Sequence, residues 1–172
     1  MTQWEKKIEE KFLNILRERP EALEIKNPSS AARNLADLLS GHEPTVFHDT
    51  NEWNPHPECM QDLVGGVIPD IVLRSKVSGQ NRIYIEVKDS KPLNYGIEDS
   101  QVVRYFLHLL AMSTKAPEKG AGDIKRAVLL CAPSLWFKDK HNAETWAHFL
   151  KHFSGLAKAF EITLGEVHAD TF

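Results

Sequence analysis

The sequence predicts an α/β domain in which helices flank a central mixed sheet. Residues 67–73 and 82–88 are short runs in which side chains alternate with period two, as they do in strands. Residues 4–17 and 98–113 instead repeat apolar side chains at helical spacing. Residues 126–131 form a continuous apolar run, which is typical of a buried strand.

Length and composition predict one globular domain spanning residues 1–172. The chain has 172 residues, of which 42% are hydrophobic and 26% charged, so it can bury one core and does not resemble a disordered protein. No apolar run approaches the roughly 20 residues of a membrane span, and residues 1–7 lack the apolar core of a secretory signal. We therefore expect a cytoplasmic protein with no membrane partner.

Helix and strand signals divide the first part of the chain. The helix over residues 4–17 should end before Pro20, which cannot continue it. A second helix is predicted over residues 27–39, because Asn27-Pro28 is a cap and first-turn signal and Gly41 can end the helix. A short strand over residues 44–48, a long Asn- and Pro-rich loop over 49–66 and the two alternating runs follow it.

Aromatic residues mark the C-terminal part of the chain, beyond a Gly- and Lys-rich connection over residues 114–123. Helical spacing favours their packing a helix onto the sheet, and stacking on nucleic acid bases is the alternative. A last strand is expected after this helix. The aromatic residues are Trp136, Phe137, Trp146, Phe149 and Phe153.

The two alternating runs predict a hairpin with its turn near Ser78. Paired positions in a hairpin share a constant sum, so Asp70 should face Glu86, and positions 72 and 74 should face 84 and 82. Alternation then separates a polar face from an apolar one. The polar face would hold Asp70, Val72, Arg74, Arg82, Tyr84, Glu86 and Lys88, and the apolar face Ile71, Leu73, Ile83, Ile85 and Val87.

Two carboxylates that face each other across a sheet require a compensating cation. Mg²⁺ suits Asp70 and Glu86, because it binds oxygen ligands and is usually held by one or two carboxylates. Lys88 returns to the same face, where its ammonium could stabilise charge on an attacked phosphate. The alternative is an ordinary solvated strand face, on which Glu and Lys often occur two residues apart.

The predicted helix over residues 98–113 carries two further polar side chains of interest. Its apolar face would be formed by Val102, Val103, Phe106, Leu109 and Leu110. Gln101 and Tyr105 are four residues apart and should lie one turn from each other along an edge of that face, with His108 and Met112 nearby.

In this order, the motifs resemble those of the PD-(D/E)xK nuclease superfamily. Pro69-Asp70 is followed by Glu86-Val87-Lys88 on the next strand and then by a helix. Gly66-Val-Ile-Pro-Asp70 and Gln101-Val-Val-Arg-Tyr105 look like the Gly-x-x-x-Asp and Gln-x-x-x-Tyr elements of its RecB-like branch. The resemblance covers residues 66–132.

This resemblance implies a restriction-endonuclease-like three-layer fold and a Mg²⁺-dependent nuclease that hydrolyses phosphodiester bonds of DNA through a metal-activated water. Asp70, Glu86 and the main-chain carbonyl of Val87 would be metal ligands, and Lys88 would assist the water. Gln101 and Tyr105 would lie beside the metal or the substrate phosphate. Glu9 is the better candidate for an extra metal ligand from the first helix, and Mn²⁺ is expected to substitute for Mg²⁺.

The charge balance leaves other functions open. With a net charge of −3 and a pI near 6.2, the chain lacks the basicity of many nucleic-acid-binding domains. A nuclease-like domain that binds nucleic acid or protein without cleavage is one alternative. An RNA-cleaving toxin or defence effector is another, although DNA is favoured over RNA. A homodimer or a partner protein could supply specificity.

Cysteine and histidine usage argues against further metal centres. Cys59 and Cys131 are too few for a disulfide framework or an iron–sulfur cluster and are expected to be reduced. His56-Pro-Glu-Cys59 offers two zinc ligands, whereas a structural zinc site needs four. His48 or His56 could take the place of the histidine that lies upstream in RecB-like enzymes, although ordinary surface histidines are the simpler interpretation.

Overall fold

A five-stranded mixed sheet forms the centre of the fold in the computed structural model. The structure describes residues 2–39, 44–47, 69–75, 81–91, 93, 100–113 and 125–172. The first three strands pair antiparallel to one another in sequence, and the third, fourth and fifth strands run parallel. In spatial and chain order they are β1 (Pro44–Phe47), β2 (Ile71–Ser75), β3 (Asn81–Val87), β4 (Arg126–Ala132) and β5 (Ile162–His168).

Helices precede the hairpin and alternate with the parallel strands. The described helices are α1 (Gln3–Glu18), α2 (Leu35–Leu39), α3 (Gln101–Ser113), α4 (Ser134–Lys138) and α5 (Lys140–Ala159). Thr2 and Glu5 form a capping box that starts α1, since each side chain bonds the backbone N–H of the other residue. The chain leaves α1 through a 3₁₀ turn at Pro20–Ala22.

Alternation along the strands places helices on both faces of the sheet. Ile71, Ile83 and Ile85 pack into one core with Phe12 of α1. Val72, Tyr84, Val128 and Leu130 face the other way and pack with Val102, Phe106 and Leu109 of α3. The expected three layers are therefore present. Of the face that the sequence predicted to be polar, Val72, Tyr84 and Glu86 are buried on the side of α3.

The hairpin has the predicted register over most of its length. Position 71 pairs with 85, 72 with 84 and 73 with 83, which keeps the predicted constant sum. The expected pairing of position 74 with 82 is wrong, because the register shifts between Leu73 and Arg74 and Arg74 pairs with Asn81. A bulge of this kind adds one residue to one strand, which alternation alone cannot reveal.

The second predicted helix is much shorter than expected. Only Leu35–Leu39 is helical, whereas the cap signal predicted a helix over 27–39. Asn27 has a φ of 50°, in the left-handed region. Just before it, Lys26 and Glu166 exchange two backbone hydrogen bonds, so the chain here attaches to the edge of β5. Contact with the sheet overrides the local helix signal.

The remaining elements agree with the sequence where the structure describes them. Strands over 44–47 and 126–132 and a helix over 3–18 lie within two residues of their expected bounds. Trp136, Trp146 and Phe149 are each at most 4% exposed, so they pack in the core and do not offer stacking surfaces. Their positions confirm the packing interpretation of the C-terminal aromatic residues.

Several sequence expectations fall outside the described residues. The predicted loop over 49–66 and the connection over 114–123 belong to this part of the chain, as do His48, His56 and Cys59. Cys131 is described and is a free thiol in the core, where burial raises its pKa above the usual value. Across the described ranges, no helix combines the length and hydropathy that crossing a bilayer requires.

Candidate functional site

The end of the β2–β3 hairpin brings Asp70 and Glu86 together. Asp70 directly precedes β2, and Oδ2 of its carboxylate accepts a hydrogen bond from the backbone N–H of Val87 at 2.7 Å. The charge of Asp70 in turn raises the pKa of Glu86, which is the residue before Val87. The two carboxylates are thus electrostatically coupled neighbours, as the hairpin register leads one to expect.

Glu86 is a buried carboxylate with two partners of different kinds. Its side chain is 3% exposed; Oε1 lies 2.8 Å from Nζ of Lys88, and Oε2 accepts a hydrogen bond from the phenol of Tyr105 at 3.0 Å. Burial, followed by the charge of Asp70, raises the pKa of Glu86 to about 7, even though Lys88 and Tyr105 oppose the shift. Near neutral pH this carboxylate is therefore poised between its charged and neutral forms.

Lys88 connects the end of β3 to the start of α3. Its Nζ donates to Oε1 of Gln101 at 3.0 Å in addition to contacting Glu86. Its backbone N–H donates to the carbonyl of Cys131 at 2.9 Å and so extends the pairing between β3 and β4. These contacts hold the ammonium between a carboxylate and an amide oxygen, with 15% of the side chain exposed.

Tyr105 lies deeper than the sequence predicts. We expected it at the edge of the apolar face of α3, but it is fully buried, and His108 is 1% exposed. The reason is that α3 packs over Tyr84, whose ring centroid lies 5.6 Å from that of Tyr105. Burial, followed by the charge of Glu86, raises the pKa of Tyr105 well above its usual value, so the phenol remains a hydrogen-bond donor.

A second buried polar pair lies behind this tyrosine and was not anticipated from the sequence. The hydroxyl of Tyr84 and Nδ1 of His108 are 2.5 Å apart, and their rings are stacked. Tyr84 also contributes to the raised pKa of Tyr105. The only sequence signal for this pair is that Tyr84 shares the face of Glu86 and that His108 follows Tyr105 by nearly one helical turn.

The first helix adds two carboxylates to the surroundings of Asp70. Glu9 is 8% exposed, and burial, followed by the charges of Asp70 and Glu10, raises its pKa to about 7. Glu5 lies one turn earlier and accepts a hydrogen bond from the backbone N–H of Asp89 at 3.3 Å. The sequence favoured Glu9 as the acidic residue that the first helix contributes to the site. Glu5 lies four residues earlier and so on the same side of the helix, which is the sequence signal for including it in the site.

Both outer layers fix the chain segment that follows Lys88. Glu5 of α1 binds the N–H of Asp89, and the indole of Trp136 in α4 donates to the carbonyl of Lys91 at 3.0 Å. The segment is therefore anchored by helices that lie far from it in sequence. These contacts tie the segment after β3 to α1 and α4.

The donor chemistry of the site fits a divalent cation at two carboxylates. The charge of Asp70 raises the free energy of the charged form of Glu86, and an oxygen-binding cation would relieve this repulsion. Across the described part of the chain, no group of three or more His, Cys, Asp or Glu side chains is arranged to hold a metal ion. A ligand role for Glu9 stays a prediction.

Comparison with known proteins provides no relative: no family model, curated protein or solved structure matches the chain. The chemistry of the site consequently follows from its own geometry. That geometry places Asp70, Glu86, Lys88, Gln101 and Tyr105 in one connected set of contacts at the end of the hairpin.

Proposed function

We propose that the chain is a metal-dependent nuclease that hydrolyses phosphodiester bonds of DNA. The observation that carries this proposal is the convergence of Asp70, Glu86 and Lys88 at the end of one hairpin. A lysine that lies against two coupled carboxylates combines a cation site with a positioned positive charge, and phosphodiester hydrolysis requires both.

Two carboxylates and one main-chain oxygen would hold the metal. Asp70 and Glu86 would be the side-chain ligands, and the carbonyl of Val87 the third. Mg²⁺ binds to such sparse sets of protein oxygens and fills its other positions with water and substrate phosphate. When bound, Mg²⁺ would act as a Lewis acid and lower the pKa of a coordinated water.

The neighbouring side chains orient these ligands. The N–H of Val87 holds the carboxylate of Asp70, and the phenol of Tyr105 holds Oε2 of Glu86. Because Tyr105 is fully buried, it would act by positioning Glu86 and would not touch the substrate. This role differs from the position beside the substrate phosphate that the resemblance allowed.

Lys88 would stabilise negative charge on the attacked phosphate. Its ammonium is held by Glu86 and Gln101, and 15% of the side chain is exposed. Such preorganised charge is effective because it needs little rearrangement during the reaction. Gln101 would keep the ammonium in place as Glu86 binds the metal.

A restriction-endonuclease-like fold is part of the same proposal. Three features support it: the three layers, the antiparallel hairpin that leads into parallel strands, and the helix α3 that follows β3. The placement of the paired carboxylates at the end of that hairpin agrees with the order of motifs that the resemblance implies.

Incubation of the purified chain with nucleic acid tests this proposal. Labelled single- and double-stranded DNA and RNA are offered with Mg²⁺, Mn²⁺ or a chelator, with Glu86→Ala and Lys88→Ala beside the wild type. Glu18→Ala and Lys158→Ala are matched controls, because both residues are exposed and lie outside the site.

We expect DNA cleavage that needs Mg²⁺ or Mn²⁺, that is lost in both site variants and that persists in both controls. Cleavage of RNA alone would favour the toxin or effector function instead. Absence of cleavage at high protein concentration, with nucleic acid still bound, would favour a binding domain. Full activity in both site variants would overturn the proposed centre.

A further inference from the structure

The outer face of α5 carries two histidines that lie one helical turn apart. His148 and His152 are both exposed, and the centroids of their rings are 4.3 Å apart with an interplanar angle of 70°. Residues at this spacing lie one above the other on the same side of a helix. Two imidazoles are thus adjacent on a helix surface that reaches solvent.

Adjacent imidazoles on one helical turn have the chemistry of a transition-metal ligand pair. Neutral imidazole is the commonest metal ligand among side chains and suits Zn²⁺, Cu²⁺ and Ni²⁺. Zinc–nitrogen bonds are about 2.0–2.1 Å long, so two rings must converge to share one ion. Rings with centroids 4.3 Å apart need only a small side-chain rotation to do so.

The nitrogen ligands distinguish this place from a site for hard cations. Glu144 lies one turn before His148 and is exposed, and Lys151 lies on the same outer surface and is also exposed. Neither side chain supplies a nitrogen ligand at neutral pH, so a bound ion would be held by the two imidazole nitrogens. Mg²⁺ and Ca²⁺, which require oxygen ligands, should therefore be rejected.

We propose that His148 and His152 form a surface site for one metal ion of borderline softness, and that this ion is Zn²⁺. The two imidazoles supply two ligands, and water completes the coordination shell. The site cross-links one turn of α5 and so stabilises the folded chain when the ion is bound. It is separate from the carboxylates at the hairpin and does not depend on the proposed nuclease function.

Calorimetric titration of the intact chain with Zn²⁺ tests this site. A large excess of Mg²⁺ is present, so that oxygen-ligand sites are occupied. The variants are His148→Ala, His152→Ala and the double variant, with His141→Ala as the control. His141 is also an exposed histidine of α5, but it lies seven residues before His148 and is too far along the helix to share its ion.

We expect each single variant to weaken this Zn²⁺ binding event at least about tenfold and the double variant to lose one equivalent of Zn²⁺, while His141→Ala matches the wild type. Alanine at an exposed helical position preserves the fold, which circular dichroism verifies. Zn²⁺ should also raise the melting temperature of the wild type more than that of the double variant.

A spectroscopic measurement identifies the ligands directly. Cu²⁺ added to the wild type should give an electron paramagnetic resonance spectrum with coupling to two imidazole nitrogens, and this coupling should disappear in the double variant. Equal zinc stoichiometry and affinity in the wild type and the double variant would overturn the site. So would copper spectra that are unchanged by the two substitutions.

Discussion

The phenol of Tyr105 donates a hydrogen bond to Oε2 of Glu86 at 3.0 Å, although the two residues come from different layers of the fold. The tyrosine is fully buried, and the glutamate is 2% exposed. A buried carboxylate oxygen with no donor is costly, so this contact both supports the fold and fixes the direction of the carboxylate.

Removal of the Tyr105 hydroxyl group should destabilise the chain. We expect Tyr105→Phe to lower the free energy of unfolding by about 1–3 kcal/mol, because Glu86 keeps its burial but loses a donor. Urea denaturation measures the change. The same substitution in a Glu86→Gln background is the control, and the difference between the two effects isolates the coupling. Equal effects in the two backgrounds would show that the negative charge of Glu86 adds nothing to the contact.

The stability of the chain should depend on pH through Glu86. Its pKa is about 7 in the folded chain against an ordinary value of 4.5, so between these values the folded state binds more protons than the unfolded state. The contribution of Glu86 to stability therefore declines as the pH rises from about 4.5 to about 7.

We expect Glu86→Gln to be more stable than the wild type above pH 7, by on the order of 2 kcal/mol, and to lose this advantage near pH 4.5. Thermal unfolding across this pH range measures the difference. Glu144→Gln, an exposed substitution on α5, should show no such trend. A variant that is less stable than the wild type in alkaline buffer would contradict the assigned shift.

Lys88 should be needed for stability only while Glu86 is charged. We expect Lys88→Met to cost about 3 kcal/mol in alkaline buffer, since it leaves a buried carboxylate without its cation. The cost should shrink at acid pH, where Glu86 is protonated, and the Lys88→Met, Glu86→Gln double variant should recover most of the loss. Denaturant titration at two pH values measures both effects, and a pH-independent cost would refute the electrostatic explanation.

Divalent metal should stabilise the chain through the carboxylates around Asp70. We expect Mg²⁺ to raise the melting temperature of the wild type, with about 2.7 kcal/mol gained at roughly 100 times the dissociation constant. Chelation should reverse the rise. Glu9→Gln should reduce the rise in melting temperature, because the charge of Asp70 acts on Glu9. Glu10→Gln, at an exposed neighbouring position, is the control. Equal shifts in the two variants would exclude Glu9 from the metal's surroundings.

Two glycines should respond in opposite ways to alanine. At Gly165 of β5, an added Cβ would lie 2.5 Å from Cγ2 of Ile25, a branched side chain with little freedom to move. We expect Gly165→Ala to destabilise the chain by about 1–3 kcal/mol. At Gly155 of α5 an added Cβ meets nothing within 4 Å, so Gly155→Ala should stabilise by about 0.5–1 kcal/mol. Urea denaturation of both variants tests the contrast.

Local spacing was sufficient to predict the hairpin and the residues that meet at its end. Pairing of positions 72 and 84 follows from the turn position and the constant sum, and the structure has this pair. The division of Ile71 and Val72 between opposite faces follows from the pleat of the strand. These features depend on backbone periodicity, which the residues of each short segment determine locally.

Local signals were insufficient where distant segments compete for the same backbone. The Asn27-Pro28 signal predicted a helix, yet the preceding residue Lys26 bonds to Glu166, which lies on the last strand. The burial of Tyr105 likewise depends on how closely α3 approaches the sheet, and helical periodicity does not contain that distance. Sequence spacing predicted Tyr105 at the edge of the apolar face of α3, whereas packing of α3 against the sheet buries it.

The sequence by itself determined the strands and most of the helices, their order and the acidic pair that the hairpin brings together, because these follow from spacings along one stretch of chain. Only the tertiary structure decided that Lys88 lies between Glu86 and Gln101, that Tyr105 is buried beneath α3, and that Glu86 has a pKa of about 7. Burial and Coulomb energies depend on distances between segments that are remote in sequence, and folding alone establishes those distances.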